Sequence, residues 1–303
     1  MEKTVSVVIP VYKNLEAFCR NLKINLRYFR QSELVIVNDC PEEDIEPAVK
    51  KIAPSARIIN HKKNLGFGLT VNDGIRESSG KIILLLNSDV ILRDSSFLEA
   101  LPVLKKDPSI FALSFAQIEA DASTVGHNSA CFLDGFIYHR PDEKKETGYN
   151  FWAEGGAMIF RKETFVKVGM FDGLYRPFYW EDIDLSYRAW KMGYRILYFP
   201  TVKVEHHHES TIGKYFKKNV VSKIAYRNQF IFHWKNITDS DMMFTHLIHL
   251  PKHLLTALIK GNRQIIQGFF LALPLLPEIV KVRNKQVKLF IKSDRQILNI
   301  FKK

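Results

Sequence analysis

Apolar positions in the first ninety residues fall in short unbroken runs, separated by polar turns and by stretches of helical period. Val5-Ser-Val-Val-Ile9 is a β-branched run ended by Pro10. Glu33-Leu-Val-Ile-Val37 is a second run and Ala56-Arg-Ile-Ile59 a third. Ile82–Leu86, entered through Ser79-Gly80, is a fourth with five consecutive apolar residues. Runs of this length between breakers predict strands covered on both faces. Leu15, Phe18, Cys19, Leu22 and Leu26 share one helical face behind Asn14, placed as an N-cap, and 42–51 and 69–78 read as further helices. Strand alternating with helix predicts an α/β fold around a mostly parallel sheet with right-handed crossovers.

A carboxylate is a poor occupant of a buried strand. Asp39, after Val35-Ile-Val-Asn38, and Asp89, after Asn87-Ser88, therefore belong at the strands' carboxyl ends, where an open α/β sheet forms its ligand crevice. Asn87, Ser88 and Asp89 together suit a hard divalent cation that also grips a pyrophosphate. The loop Asn64-Leu-Gly-Phe-Gly68 has neither Walker A nor Rossmann spacing.

Downstream, Phe111–Phe115 reads as a strand, and 134–150, with Pro141 and a charge run, as a surface loop. Gly155-Gly156 interrupts a strand pattern and lets backbone approach a ligand. Glu181 and Asp182 open a helix behind the aromatic residues of 171–180. Removal from water there raises a carboxyl pKa toward what a general base needs. Asp184 is placed to pair with Arg188 at i,i+4. Segments 193–200 and 201–204 read as two more strands. In His206-His207-His208 adjacent rings on an extended segment face opposite ways, so the triplet does not make one zinc site.

Composition adds two points. The three cysteines are scattered, with no disulfide framework, which points to a reducing compartment, and the N-terminus lacks a secretory pattern. The net charge of +12 is concentrated at one end: residues 211–303 hold 17 Lys/Arg against four Asp/Glu. Segments 214–218 and 226–235 read there as amphipathic helices, and 242–259 and 265–280 are strongly apolar. Gln267, Pro274 and Pro277 break the last, so neither is expected to span a membrane. Basic edges on apolar helices suit a peripheral contact with an anionic membrane, with a helical cap or homodimer interface as the other reading. No nucleic-acid motif accompanies the charge.

Taken in order, Val7-Val-Ile-Pro-Val-Tyr12, Val35–Asp39, Asn64–Gly66 with Asn72–Ile75, Leu85–Asp89, Gly155–Met158 and Trp180–Leu185 with Arg188 resemble the family 2 glycosyltransferases. The resemblance implies a GT-A fold over 1–210, with a nucleotide part (1–110) and an acceptor part (111–210), followed by a helical region at 211–303. It implies an inverting transferase acting from a UDP- or dTDP-linked sugar, with Mg or Mn, on a glycan or lipid-linked glycan in cell-surface polysaccharide synthesis. The enzyme would sit on the cytoplasmic face of the cell membrane. Pro10, Val11 and Tyr12 would line the nucleobase pocket, and Asp39 would bond the base. Asn38 replaces the first acid of the family's usual pair. Asn64, Gly66 and Asn72 would belong to the nucleotide site, with Asn87 and Ser88. Asp89 would hold the cation together with His206, or with His208 on the same face. Gly155, Gly156 and Trp180 would border the sugars. Asp182 would be the base and Glu181 would orient the acceptor. The alternatives are a nucleotidyltransferase and a catalytically weak carbohydrate-binding relative on the same fold.

Overall fold

The structure, a computed structural model, describes residues 4–142, 146–206 and 214–302. Its first half alternates as the apolar runs predict: β1 (Val5–Val11), α1 (Leu15–Asn25), β2 (Glu33–Asn38), α2 (Glu46–Ile52), β3 (Arg57–Asn60), α3 (Phe67–Glu77), β4 (Ile82–Leu86) and β5 (Val90–Leu92). Next come α4 (Ala100–Lys106), β6 (Ile110–Ile118), β7 (Thr124–Val125), β8 (Asn128–Leu133), β9 (Phe136–Pro141) and β10 (Gly148–Tyr149). β11 (Ala157–Arg161), α5 (Lys162–Val168), α6 (Glu181–Lys191) and β12 (Arg195–His206) complete this half. The C-terminal region is helical: α7 (Lys218–Asn236), α8 (Ser240–Ile259), α9 (Arg263–Ala272), α10 (Leu276–Gln286) and α11 (Asp294–Asn299).

The main sheet runs β10-β12-β6-β11-β4-β1-β2-β3. Its β4-β1-β2-β3 half is parallel, as expected. Beyond β4 it is mixed, because β11 lies antiparallel between β4 and β6. That reversal sets Ala157, the first residue of β11, beside Leu86, the last of β4. It thereby brings Gly155-Gly156 to the crevice at the carboxyl end of β4. β12 pairs at its far end with β5, His206 opposite Val90, so the histidine arrives beside Asp89.

The strands are buried on both faces with a period of two. Val8, Val35, Val37 and Leu85 face one core, while Val7, Ile9, Ile36 and Leu84 face the other. The first core does not stop at the sheet. It continues through Phe230, Ile231 and Phe232 of α7 and reaches Ile279 and Ile297.

Four details differ from the sequence expectations. Asn14 precedes α1 with φ 58° and makes no side-chain cap; its carbonyl takes the N–H of Phe18 instead. The expected loop at 134–150 opens with the turn and second strand of a hairpin, Phe136–Pro141. Leu133 pairs with Phe136 across Asp134-Gly135, both at positive φ, which is the two-residue turn that Asp-Gly favours. Phe136 and Ile137, at the start of the hairpin's second strand, are both buried, and the Ile137 N–H donates to His233 Nε2 of α7 at 2.7 Å. The two strands expected at 193–204 are one, β12, with a register shift between Phe199 and Lys203. Finally, Pro274 and Pro277 fall at the opening positions of helical turns, where a missing N–H costs nothing, so turns continue from Arg263 to Leu289. An 18-residue window within that run has mean hydropathy 1.7, so the run is long and apolar enough to cross a membrane by length and composition alone.

Candidate functional site

The carboxyl ends of β1, β2 and β4, the turn before β11 and the loop before α6 surround one cleft of about 560 Å³. Asn87, Ser88 and Asp89 line it where β4 ends, together with His206. Asn87 Oδ1 and Asp89 Oδ1 are buried oxygens without a hydrogen-bond partner. His206 Nε2 lies 3.3 Å from Asp89 Oδ1, near enough for attraction but off the hydrogen-bonding line. Burial opposes a charge on His206, yet the Asp89 carboxylate beside it outweighs burial and raises its pKa. Oxygens left unbonded in a buried site, beside an imidazole, fit a hard divalent cation. Among the described residues no group of three or more His, Cys, Asp or Glu forms a complete cation site. Asp89, His206 and Asn87 would thus supply part of a coordination shell and leave positions for ligand oxygens.

Gly155-Gly156 divides this end of the cleft from the other. The Asn87 N–H donates to Gly156 O at 2.8 Å. A Cβ on Gly156 would stand 3.1 Å from His206 Cε1 and 3.2 Å from Asn87 Nδ2, so only glycine lets both side chains approach. On the other side, the Gly155 N–H donates to Asp182 Oδ2 at 3.2 Å.

Glu181 and Asp182 open α6, and both line the cleft. Burial raises the Asp182 carboxyl to about 6 against the hydrogen bonds from Gly155 and Ile183. Burial also pushes Glu181 well above the carboxylate range, aided by the Asp182 charge, and its Oε2 has no hydrogen-bond partner. Both carboxyls of the pair therefore hold a proton more tightly than an ordinary carboxylate. Two residues on, Asp184 goes the other way. Burial works to raise it, but Arg188 and Lys235 hold it down to about 2. It takes Arg188 Nε at 2.8 Å as expected, together with Lys235 Nζ, Tyr175 OH and Asn236 Nδ2.

The turn into α6 carries unusual backbone: Tyr179 and Trp180 both lie at positive φ, 71° and 73°. Side-chain residues there persist only where the surroundings hold them. Asn228 of α7, fully buried, does so. Its Nδ2 lies 2.8–2.9 Å from the carbonyls of Tyr175, Phe178 and Tyr179.

Pro10, Val11, Tyr12 and Asp39 line the cleft, as do Asn64, Gly66 and Trp180. Gly66, at φ 81°, packs against Pro177, where a Cβ would meet the carbonyl at 2.8 Å. Asp39 is tied more closely to protein than expected. Its carboxylate accepts the N–H groups of Leu65 and Gly66 and touches His61 Nδ1. Two expected nucleotide residues lie outside the cleft. Asn38 turns inward to Glu43 O, Asn60 and the Cys40 N–H. Asn72 holds both backbone groups of Phe171, tying α3 to the aromatic loop. Both are polar groups at buried positions, and satisfying them there is a structural task. His208 lies outside the described residues. Sequence reading missed Glu154, Trp152, His139 and Phe178, which also line the cleft, and Gln117 and Asn228 behind it. Only the Asp-Gly turn signal, which builds the hairpin carrying His139, pointed to any of them.

Fold and cleft together are those of the GT-A architecture. The glycosyl transferase family 2 model matches residues 6–169, more than half of the chain, and the chain belongs to that family. Among curated proteins it is 32% identical over 137 residues to an uncharacterized glycosyltransferase of Rickettsia bellii, covering 44% of this chain and 20% of that one. It is 24% identical over 195 residues to the poly-β-1,6-N-acetyl-D-glucosamine synthase of Staphylococcus aureus, covering 63% and 47%. The chain thus spans less than half the length of either relative. Solved structures share the fold. The mannosyltransferase PcManGT of Pyrobaculum calidifontis with GDP-Man and Mn2+ aligns with TM-score 0.56 at 15% identity, covering 99% of this chain and 86% of that one. S. aureus TarS with UDP-GlcNAc aligns with TM-score 0.58 at 14%, covering 98% and 90%.

Proposed function

We propose that the protein transfers a sugar, with inversion, from a UDP- or dTDP-linked donor to a hydroxyl of a glycan or lipid-linked glycan in cell-surface polysaccharide synthesis. The supporting observation is that Asp182, a carboxyl pushed up to about 6, opens into the same cleft as Asp89 and His206. Inversion needs one base and one in-line displacement, and a carboxylate with a pKa near the operating pH suits that base. Asp182 accepts the acceptor proton. Glu181, beside it in the cleft, orients the acceptor. Asp89, His206 and Asn87 would hold Mg or Mn, which when bound neutralises the leaving diphosphate. Pro10, Val11 and Tyr12 take the nucleobase, and Trp180 offers a ring face to a sugar. Structural neighbours crystallised with Mn2+ or UDP-GlcNAc support this division. Turnover by Asp182→Asn and Asp89→Ala, with a donor selected by thermal shift from UDP- and dTDP-sugars, is the test. Full activity in either variant sinks the assignment.

Residues 1–210 would carry the chemistry, with α7 closing the acceptor side. The helices after it would rest on the inner face of the cell membrane. Phe244, Leu247, Leu258, Ile259 and Phe270 are exposed there, in the part of the chain that holds its excess of Lys and Arg. The protein should float with vesicles containing phosphatidylglycerol, less so in high salt, and not with neutral vesicles. A mass that doubles with concentration and no flotation would favour the homodimer reading.

A further inference from the structure

From the cation end runs a chain of three side chains, His206 and Gln117 buried and Glu154 partly buried at the cleft wall. His206 Nδ1 meets Gln117 Oε1 at 2.5 Å, and Gln117 Nε2 donates to Glu154 Oε2. Glu154 Oε1 takes the Asn128 side-chain amide at 3.0 Å. Gln117, on β6, is fully buried. The direction of this chain follows from its end. A carboxylate oxygen accepts, so Gln117 turns its NH2 toward Glu154 and its carbonyl toward His206. A carbonyl cannot donate, so Nδ1 must carry a hydrogen. In neutral His206 the lone pair then sits on Nε2, the nitrogen 3.3 Å from Asp89.

We infer that Gln117, oriented by Glu154, fixes the tautomer and ring orientation of His206 and so prepares Nε2 to bind the divalent cation. Gln117 is a positioning residue, and the inference rests on the cation reading given above. Histidines that bind metals depend on such partners for tautomer and orientation, and removing the partner costs about 10–100-fold in metal affinity. Here an amide stands between carboxylate and imidazole and transmits the carboxylate's direction to the ring. Nothing in the local sequence marks this role. Gln117 lies 89 positions from His206 and 37 from Glu154.

Two near-isosteric substitutions test it by different routes. Gln117→Leu removes both bonds. Glu154→Gln keeps every heavy-atom position but supplies an end that can donate. The amide of Gln117 can then reverse, present its NH2 to Nδ1, and leave the hydrogen of His206 on Nε2. Nitrogen NMR of metal-free protein, at a pH where His206 is neutral, should show the Nδ1–H form in the wild type and a shift toward Nε2–H in Glu154→Gln. Mn2+ titration with UDP present, followed by electron paramagnetic resonance, should show about 10–100-fold weaker binding in both variants, with melting temperatures without metal close to wild type. An Nε2–H wild type, or wild-type Mn2+ affinity in both folded variants, overturns the inference. A wild type that binds no Mn2+ even with UDP overturns the cation reading itself. The two failures stay distinct because the tautomer is read without metal.

Discussion

The two ends of the cleft are built in opposite ways. At the cation end, Asn87, Ser88 and Asp89 follow directly from a buried strand, and two of their oxygens are left without partners. At the base end, Asp182 follows a turn with two residues at positive φ, held by an asparagine 46 positions later in the chain. The contrast sharpens within one helical turn. Asp182, partly buried in the cleft wall, is raised to about 6, while Asp184, fully buried, is lowered to about 2. Removal from water works to raise both. What separates them is that Asp184 meets Arg188 and Lys235 whereas Asp182 has only backbone N–H groups. A buried carboxylate given two cations becomes part of the scaffold, and one denied them keeps a proton affinity useful for catalysis.

The largest effect that would test this contrast is on rate. Asp182→Asn should lower kcat by about 10²–10⁴-fold, the usual contribution of a general base, while UDP and Mn2+ binding stay near wild type. In the wild type, kcat/KM should rise with pH through about 6 as Asp182 loses its proton. A flat profile between pH 5 and 8 would remove Asp182 from that role. Asp184→Asn should act on stability instead. It leaves Arg188 buried without its charge partner and Lys235 with Asp172 alone, which costs about 3–5 kcal/mol in denaturant unfolding.

The same variants should move stability in opposite directions. Asp182 has a folded-state pKa above its ordinary 3.8, so its contribution is full below pH 3.8 and is lost as pH rises through about 6. Above that, the charged form is a burden of about 3 kcal/mol, and Asp182→Asn should be the more stable protein at pH 8. Asp184 is depressed, so its contribution of about 2 kcal/mol is present above pH 3.8 and fades as pH falls toward 2. Unfolding at pH 8 and pH 4 separates the two. If both variants are destabilised alike at pH 8, the opposition between the two carboxylates is wrong.

The same contrast explains what could be read from sequence. The cation end was legible because each of its residues sits at the end of an apolar run. The run fixes the strand, and the strand fixes where Asp39 and Asp89 emerge. The parallel β4-β1-β2-β3 half was legible for that reason too. The acids at 181 and 182 were legible through their aromatic setting, but their support was not. Asn228 reads as one polar residue in an amphipathic helix, and Gln117 as one polar residue near the end of a strand. Their partners lie 49 and 89 positions away. Asn38 and Asn72 failed in the other direction. Their motif positions match, but inward-facing backbone groups claim their side chains.

The smallest effect is the one that most directly separates the two ends. Asn228→Ala removes the amide shared by the carbonyls of Tyr175, Phe178 and Tyr179 and leaves them buried without that donor, a cost of about 1–3 kcal/mol. The turn that sets Trp180 at the head of α6 loses its hold, and Asp182 is aimed less well at an acceptor. Because Asn87, Asp89 and His206 rest on β4, β5 and β12, and none of them touches Asn228, UDP and Mn2+ affinities should stay within about twofold. Turnover should fall by more than the stability loss accounts for when assayed well below the melting temperature. The fall should lie in kcat and in the KM for acceptor, with the KM for donor unchanged. If Asn228→Ala weakens UDP and Mn2+ binding as much as it slows turnover, the two ends are one cooperative unit, and the acceptor-side support extends through Gly155-Gly156 to the cation.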